Sequence, residues 1–352
     1  MVLQQLQNKK IFSKIFAIFL ALCLCGSLTG CFGMKQEKKV AAYVNGQKIY
    51  EKTITNYIEG FRKQEGSYET NSSWAQYLAS CGYTAESLRL YVLNSLLIPQ
   101  ALIKQECAKR DISITENELN NSLEAEKTHY ELKYGEDTWE SILSSYGYDE
   151  KSWANNEEQR MLEERLKNEL FAKANPNNSA MQEELNSNYS EYSGKHSYCV
   201  KFDTEHEANS FFKLLITTKN LKLKKSSKVF FKQYNSSINS GWNCVSSDKQ
   251  NMTNDYITQL NKLDKNQISE PFVSNGYYYI IWCDKTFSAD KETKLGNVPK
   301  PIKDEISKNT ANNKQDVKFE KWLKKLQNSA TIIIADMPQD LPYDVDIPLE
   351  NK

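Results

Sequence analysis

Residues 263–285, LDKNQISEPFVSNGYYYIIWCDK, admit few folds. Pro271 has no backbone N–H. It therefore stops a helix or takes the first position of a strand, where a missing donor costs least. Asn275-Gly276 is a dipeptide that accepts the backbone angles of a turn. The run 277–282, YYYIIW, is aromatic and β-branched, which suits a buried strand. The stretch predicts a proline-led entry, a short polar run, a turn and a strand inside a sheet.

The first thirty residues predict a targeting segment. Lys9, Lys10 and Lys14 precede an apolar run over 16–28. That run is short against the ~20 residues needed to cross a bilayer. Leu28-Thr29-Gly30-Cys31 follows and resembles a bacterial lipobox. The resemblance implies cleavage before Cys31 and a diacylglycerol on its sulfur; the competing reading is a short uncleaved anchor with an incidental cysteine. Without the leader the chain holds 42 basic and 45 acidic residues, so no basic excess points to nucleic acid.

Of eight cysteines, Cys23 and Cys25 leave with the leader and Cys31 would carry lipid. Cys81, Cys107, Cys199, Cys244 and Cys283 remain, outside the cytoplasm, where disulfides are allowed. Their number is odd, so at least one is free or intermolecular, and the pairing stays open. Cys199 and Cys283 read as buried strand thiols, with a disulfide as the alternative. There is no C-x-x-C pair, and His129, His196 and His206 are not clustered with cysteines, so neither a metal nor another cofactor is expected.

Taken in order, 40–50 reads as strand, Asn45-Gly46 turn, strand, and Ile54, Tyr57, Ile58 and Phe61 then recur at helical spacing. A long helix is predicted over 82–110, kinked or split at Pro99. Thr115-x-x-Glu118 is a capping box opening the next helix. The charged stripe around Glu157 and Arg165 reads as a solvated helix face. Residues 174–179, ANPNNS, signal a linker. A strand at 196–202, helical patches at 208–215, 229–234 and 256–263, and the strand at 277–282 then give an α+β order. A helix over 302–326 and a strand at 331–334 follow, and the Pro- and Asp-rich tail 337–352 is expected to be disordered.

In order and spacing, residues 263–285 resemble the end of a parvulin-type prolyl isomerase domain, which reads G-x-I-S-E-P-V and then G-Y-H-I-I. The opening V-N-G-x-x-I with its amphipathic helix, and the later long helix, K-R-D-I and I-T-E-x-E-L, resemble the chaperone domain of PrsA/SurA-type foldases. Prolyl isomerisation must lower a barrier of ~18–20 kcal/mol set by amide resonance. The family is thought to do so with two histidines, a Cys or Asp, and an apolar pocket for the proline ring. Carried over by position, Ser197 stands at the first histidine, with His196 one residue early. A slip of one residue turns a side chain to the other sheet face unless the strand bulges. The Cys/Asp position falls at Ser237, a pocket leucine becomes Ser240, and Tyr278 replaces the second histidine. Met252 and Tyr256 match pocket positions, with plain core packing as the alternative.

The resemblance implies an α+β protein: a mostly helical chaperone domain built from 40–193 and 289–336, interrupted by a parvulin-like (FKBP-like) domain of antiparallel sheet plus helices at 194–288. Residues 1–30 would be the signal peptide, 31–39 a tether and 337–352 the tail. The implied function is an extracytoplasmic, lipid-anchored chaperone or foldase for unfolded or nascent secreted polypeptides. Its isomerase constellation is largely replaced, and a homodimer is left open. The rivals are an active isomerase with a rearranged site and a lipid-anchored solute-binding protein with two α/β lobes of parallel strands.

Overall fold

The computed structural model describes residues 39–64, 68, 70–145, 148–217, 231 and 240–345. Cys31, its leader, Ser237 and most of the 229–234 patch lie outside them. The described chain opens with β1 (Val40–Val44), β2 (Gln47–Tyr50), α1 (Glu51–Gln64), α2 (Asn71–Cys81) and α3 (Ala85–Val92). A π-helical turn (Leu93–Leu97) leads into α4 (Ile98–Lys109), followed by α5 (Glu116–Tyr134), α6 (Trp139–Ser145), α7 (Glu150–Leu170) and α8 (Asn178–Ser187). Next come β3 (Gly194–Phe202), α9 (Glu205–Thr217), β4 (Gly241–Trp242), α10 (Ser246–Lys249) and α11 (Asn254–Lys262). The last elements are β5 (Phe272–Ser274), β6 (Tyr277–Phe287), α12 (Lys300–Ser329) and β7 (Ile332–Ile334). Helices dominate and the described strand pairs are antiparallel, so the fold is α+β. The parallel-stranded lobes that a solute-binding protein requires are not found among the described residues. The chain divides into two compact units, one of Met1–Glu124, Trp139–Ala172 and Val317–Lys352, the other of Ala125–Thr138 and Lys173–Asp316.

In the first unit Asn45 and Gly46 take φ of 49° and 84° and close a tight hairpin. The free side of β1 pairs with β7, Ala42 opposite Ile334 and Val44 opposite Ile332, so the sheet runs β2-β1-β7. Ile54 and Ile58 of α1, Trp74 and Leu78 of α2, and Leu93 and Ile98 bury against it. Local chemistry sets the helix ends. Thr84 and Ser87 form a capping box at α3, and Thr115 and Glu118 form one at α5. At Pro99 the helix does not break. Proline offers no N–H to the Ser95 carbonyl and its ring crowds that turn. The turn widens, and Ile98 N–H bonds the Leu93 carbonyl five residues back. A buried ion pair links α3 to α1, with Arg89 Nε and Nη2 donating to Glu51 at 2.9 and 2.8 Å.

Two expectations need correction. The tail is not disordered as far as Val345. Leu341 and Tyr343 are buried in the first core, Trp74 Nε1 donates to the Tyr343 carbonyl at 3.2 Å, and the Tyr343 hydroxyl donates to Glu51 at 3.2 Å. Two apolar side chains two residues apart outweigh a polar composition when a core offers them a seat. Nor is the 157–165 stripe wholly solvated: Gln159 is buried on the side that α7 packs on α4, and Glu157 is buried where it accepts from Ser122 Oγ of α5 at 2.5 Å.

In the second unit the sheet order is β4-β3-β6-β5. Pro271 immediately precedes β5, where no ladder donor is needed. Asn275 and Gly276 take φ of 48° and 77° and join β5 to β6. Ser269 anchors the proline-led entry: its N–H donates to the Ile281 carbonyl at 2.8 Å and its Oγ accepts from Ile281 N–H at 2.9 Å. One face of the sheet is covered by α11 and Met252, the other by α9 aromatics and Phe231.

Candidate functional site

The alternation of β3 and β6 decides what meets under α11. Ser197 pairs with Cys283, Cys199 with Ile281 and Lys201 with Tyr279, and paired residues share a face. Cys199, Tyr279, Ile281 and Cys283 form an apolar cluster with Met252, Tyr256 and Leu260. Thr253 caps α11 by accepting from Tyr256 N–H at 3.1 Å, and its hydroxyl lies 2.7 Å from Ser274 Oγ. That cap aims Tyr256 down onto the sheet. Its hydroxyl lies 2.8 Å from Ser197 Oγ, and both residues are fully buried.

A short relay of neutral groups results. The Tyr256 hydroxyl also bonds the Cys199 thiol, which in turn bonds the Ser240 hydroxyl. Burial pushes the Cys199 thiol up to about 12, Tyr279 up to about 12 and Cys283 up to about 11. Burial likewise raises Tyr256 well above the ordinary phenol range. All four groups hold their protons at neutral pH. Relay members can donate and accept hydrogen bonds, but they supply neither an anionic nucleophile nor a general base there. Met252 and the Tyr256 ring are themselves part of the core.

Of the residues singled out from the sequence, Ser197, Met252 and Tyr256 come together. Tyr278 does not join them. It pairs with Phe202 and shares the opposite face with Val200, Ile280 and Trp282; Tyr279 is the β6 tyrosine that faces Tyr256. The run of three tyrosines gave no local reason to choose between neighbours. Ser237 and Cys31 lie outside the described residues. All five described cysteines are free thiols.

A bulge does occur beside His196, but on β6: Asp284 is the extra residue between Cys283 and Lys285. β3 keeps its alternation, so His196 stays off the Ser197 face. Its Nδ1 lies 2.5 Å from Asp284 Oδ1, and its ring packs edge-on against Tyr198 and Trp242. Sequence reading missed this pair, because nothing local marks a residue that a partner strand leaves unpaired. No group of three or more metal-ligating side chains is found among the described residues.

Residues 2–167 match the family described as the SurA-like N-terminal domain. The chain is 23% identical over 345 residues to the foldase protein PrsA of Clostridium perfringens, spanning 89% of this chain and 94% of that protein. Among solved structures it is similar to a SurA-like chaperone of Campylobacter jejuni, at 11% identity and a TM-score of 0.37, over 85% of this chain and 100% of that one. It is also similar to PrsA of Lactococcus lactis, at 16% identity and a TM-score of 0.34, over 84% and 95%.

Proposed function

Because the chain is of the PrsA/SurA foldase type, we propose that it is an extracytoplasmic chaperone, lipid-anchored at Cys31, that binds unfolded secreted polypeptides and assists their folding. In this reading the second unit is a parvulin-like scaffold whose isomerase constellation is gone. One observation carries it: the face that holds Ser197 and Tyr256 is filled by the chain's own side chains and bears neutral, mutually bonded groups. Among the described residues no helix is long and apolar enough to cross a membrane, which leaves the anchoring to the N-terminal segment in this reading.

The test is cis/trans exchange of a short Xaa-Pro peptide by NMR, with the mature chain added. Uncatalysed exchange takes tens to hundreds of seconds, so even weak catalysis is visible. The expected result is no acceleration by a sample that still suppresses aggregation of an unfolded protein. Acceleration lost on Tyr256→Ala would instead make this an isomerase with a rebuilt site. A Cys31→Ala chain that still partitions with membranes at unchanged size would overturn the anchor.

A further inference from the structure

The second half of α12, from Val317 to Ser329, belongs to the first unit and has two unlike faces. Phe319 is buried, and Trp322, Leu323 and Leu326 pack with it into the cores of that unit. Lys318, Lys321 and Lys325 stand three and four residues apart, so they share the outer face, and all three are exposed. Val317, 48% exposed, and Asn328 lie on the same face. None of the three lysines has an ion pair or a hydrogen bond among the described residues. The one carboxylate of this half, Glu320, stands four residues before Lys324 and so beside that lysine instead. The other helices of the unit behave differently. Arg62, Arg89, Lys109, Arg110, Arg160 and Arg165 each pair with a glutamate. Outside the leader the chain has fewer basic than acidic residues, so a purely cationic face does not follow from composition.

The place where the chain enters the unit narrows the partner. Cys31, the lipid-bearing residue of the proposed function, is nine residues before Val40, where β1 starts. Nine extended residues reach at most about 30 Å. Only Ala330 and Thr331 join α12 to β7, and β7 lies against β1 with Ile332 opposite Val44. The end of α12 is therefore one short strand, about 14 Å, from the point where the tether arrives. The tether itself adds Lys35, Lys38 and Lys39 against Glu37. Near an anionic surface each lysine strengthens binding about fivefold, and a lipid chain with a basic patch holds where one signal alone is marginal. A soluble acidic partner has no use for such closeness to the anchor. We propose that the Lys318, Lys321 and Lys325 face of α12 docks the first unit on a bilayer surface that carries anionic phospholipid headgroups. This rests on the lipid-anchored reading and adds an orientation to it: docked along α12, the unit no longer swings freely on its tether.

The test is cosedimentation of the unlipidated chain from Phe32 onward, which keeps every described residue. One set of vesicles is phosphatidylcholine alone, the other equal parts phosphatidylcholine and phosphatidylglycerol. At about 0.1 M salt the wild type is expected to sediment with the mixed vesicles only, and to be released at about 1 M, where screening shortens to about 3 Å. Lys318→Gln with Lys321→Gln and Lys325→Gln is expected to lower the partition coefficient about hundredfold, at about fivefold per lysine. Lys262→Gln with Lys265→Gln and Lys291→Gln removes the same charge from the second unit and is expected to stay within about threefold of wild type. All six sites are exposed, so both variants keep the fold. A fall of less than about fivefold in the α12 variant, an equal fall in both variants, or wild-type binding that ignores phosphatidylglycerol overturns the docking face. Binding to soluble polyglutamate with none to the mixed vesicles would make the face a site for acidic polypeptide and also overturns it. The anchor is read separately: retention of the full lipidated chain on membranes at about 1 M salt, where the lysine contact is screened, reports the lipid alone.

Discussion

Replacing Tyr256 by Phe removes one oxygen and keeps the ring. That oxygen lies 2.8 Å from Ser197 Oγ and also bonds the Cys199 thiol. Ser197 is fully buried, so its hydroxyl cannot turn to water. A buried hydroxyl left without a partner costs about 1–3 kcal/mol. Packing against Met252 and Phe272 is retained, so the cavity contribution is small. The expected loss is about 2 kcal/mol, roughly thirtyfold in the folding equilibrium. Urea unfolding of the full chain, with hydrogen exchange read at the amides of β3 and β6, assigns the loss to the second unit. Adding Ser197→Ala removes the stranded hydroxyl, so the double variant should recover part of the loss and depart from additivity by about 1 kcal/mol. A single-variant cost below about 0.5 kcal/mol, or strict additivity, would refute the claim that a closed hydrogen-bonded relay occupies this face.

Two further outcomes follow from the same geometry. Deleting residues from Met337 onward removes the buried Leu341 and Tyr343 side chains and should cost the first unit about 4 kcal/mol or more by urea denaturation; a loss under about 1 kcal/mol would mean that the tail does not pack there. Raising the pH should destabilise the second unit, because the folded state holds protons that the unfolded chain releases. The Cys199 thiol moves from 9.0 up to about 12, so its contribution is complete below about pH 9 and is lost as the pH climbs toward 12. Cys199→Ala should flatten part of that decline in the urea midpoint, and an identical pH profile in the variant would sink the assignment.

Much of this molecule was readable from short spacings, because the forces involved are local. Asn45-Gly46 and Asn275-Gly276 turn the chain where residues tolerant of positive φ were needed. Thr115 and Glu118 cap a helix through atoms three residues apart. The strand after Gly276 follows from its β-branched and aromatic side chains. The α+β class came from the order of such elements. Within the candidate site, Met252, Tyr256 and Ser197 were legible as a group through resemblance to a parvulin pattern.

What the tertiary structure alone decided was which side of each element faces which neighbour. Strand alternation states that Tyr278 and Tyr279 point apart, but only the pairing of Lys201 with Tyr279 and Phe202 with Tyr278 shows which one meets Tyr256. The Asp284 bulge, and with it the place of His196, depends on a partner strand 80-odd residues away in the chain. Gln159 looked like one more polar residue in a charged helix until α7 packed on α4 and buried it. The tail looked like a polar coil until the first core took in Leu341 and Tyr343. In each case local chemistry chose the shape of the segment. Burial, which sums contacts from residues distant in sequence, chose its orientation and therefore its chemistry.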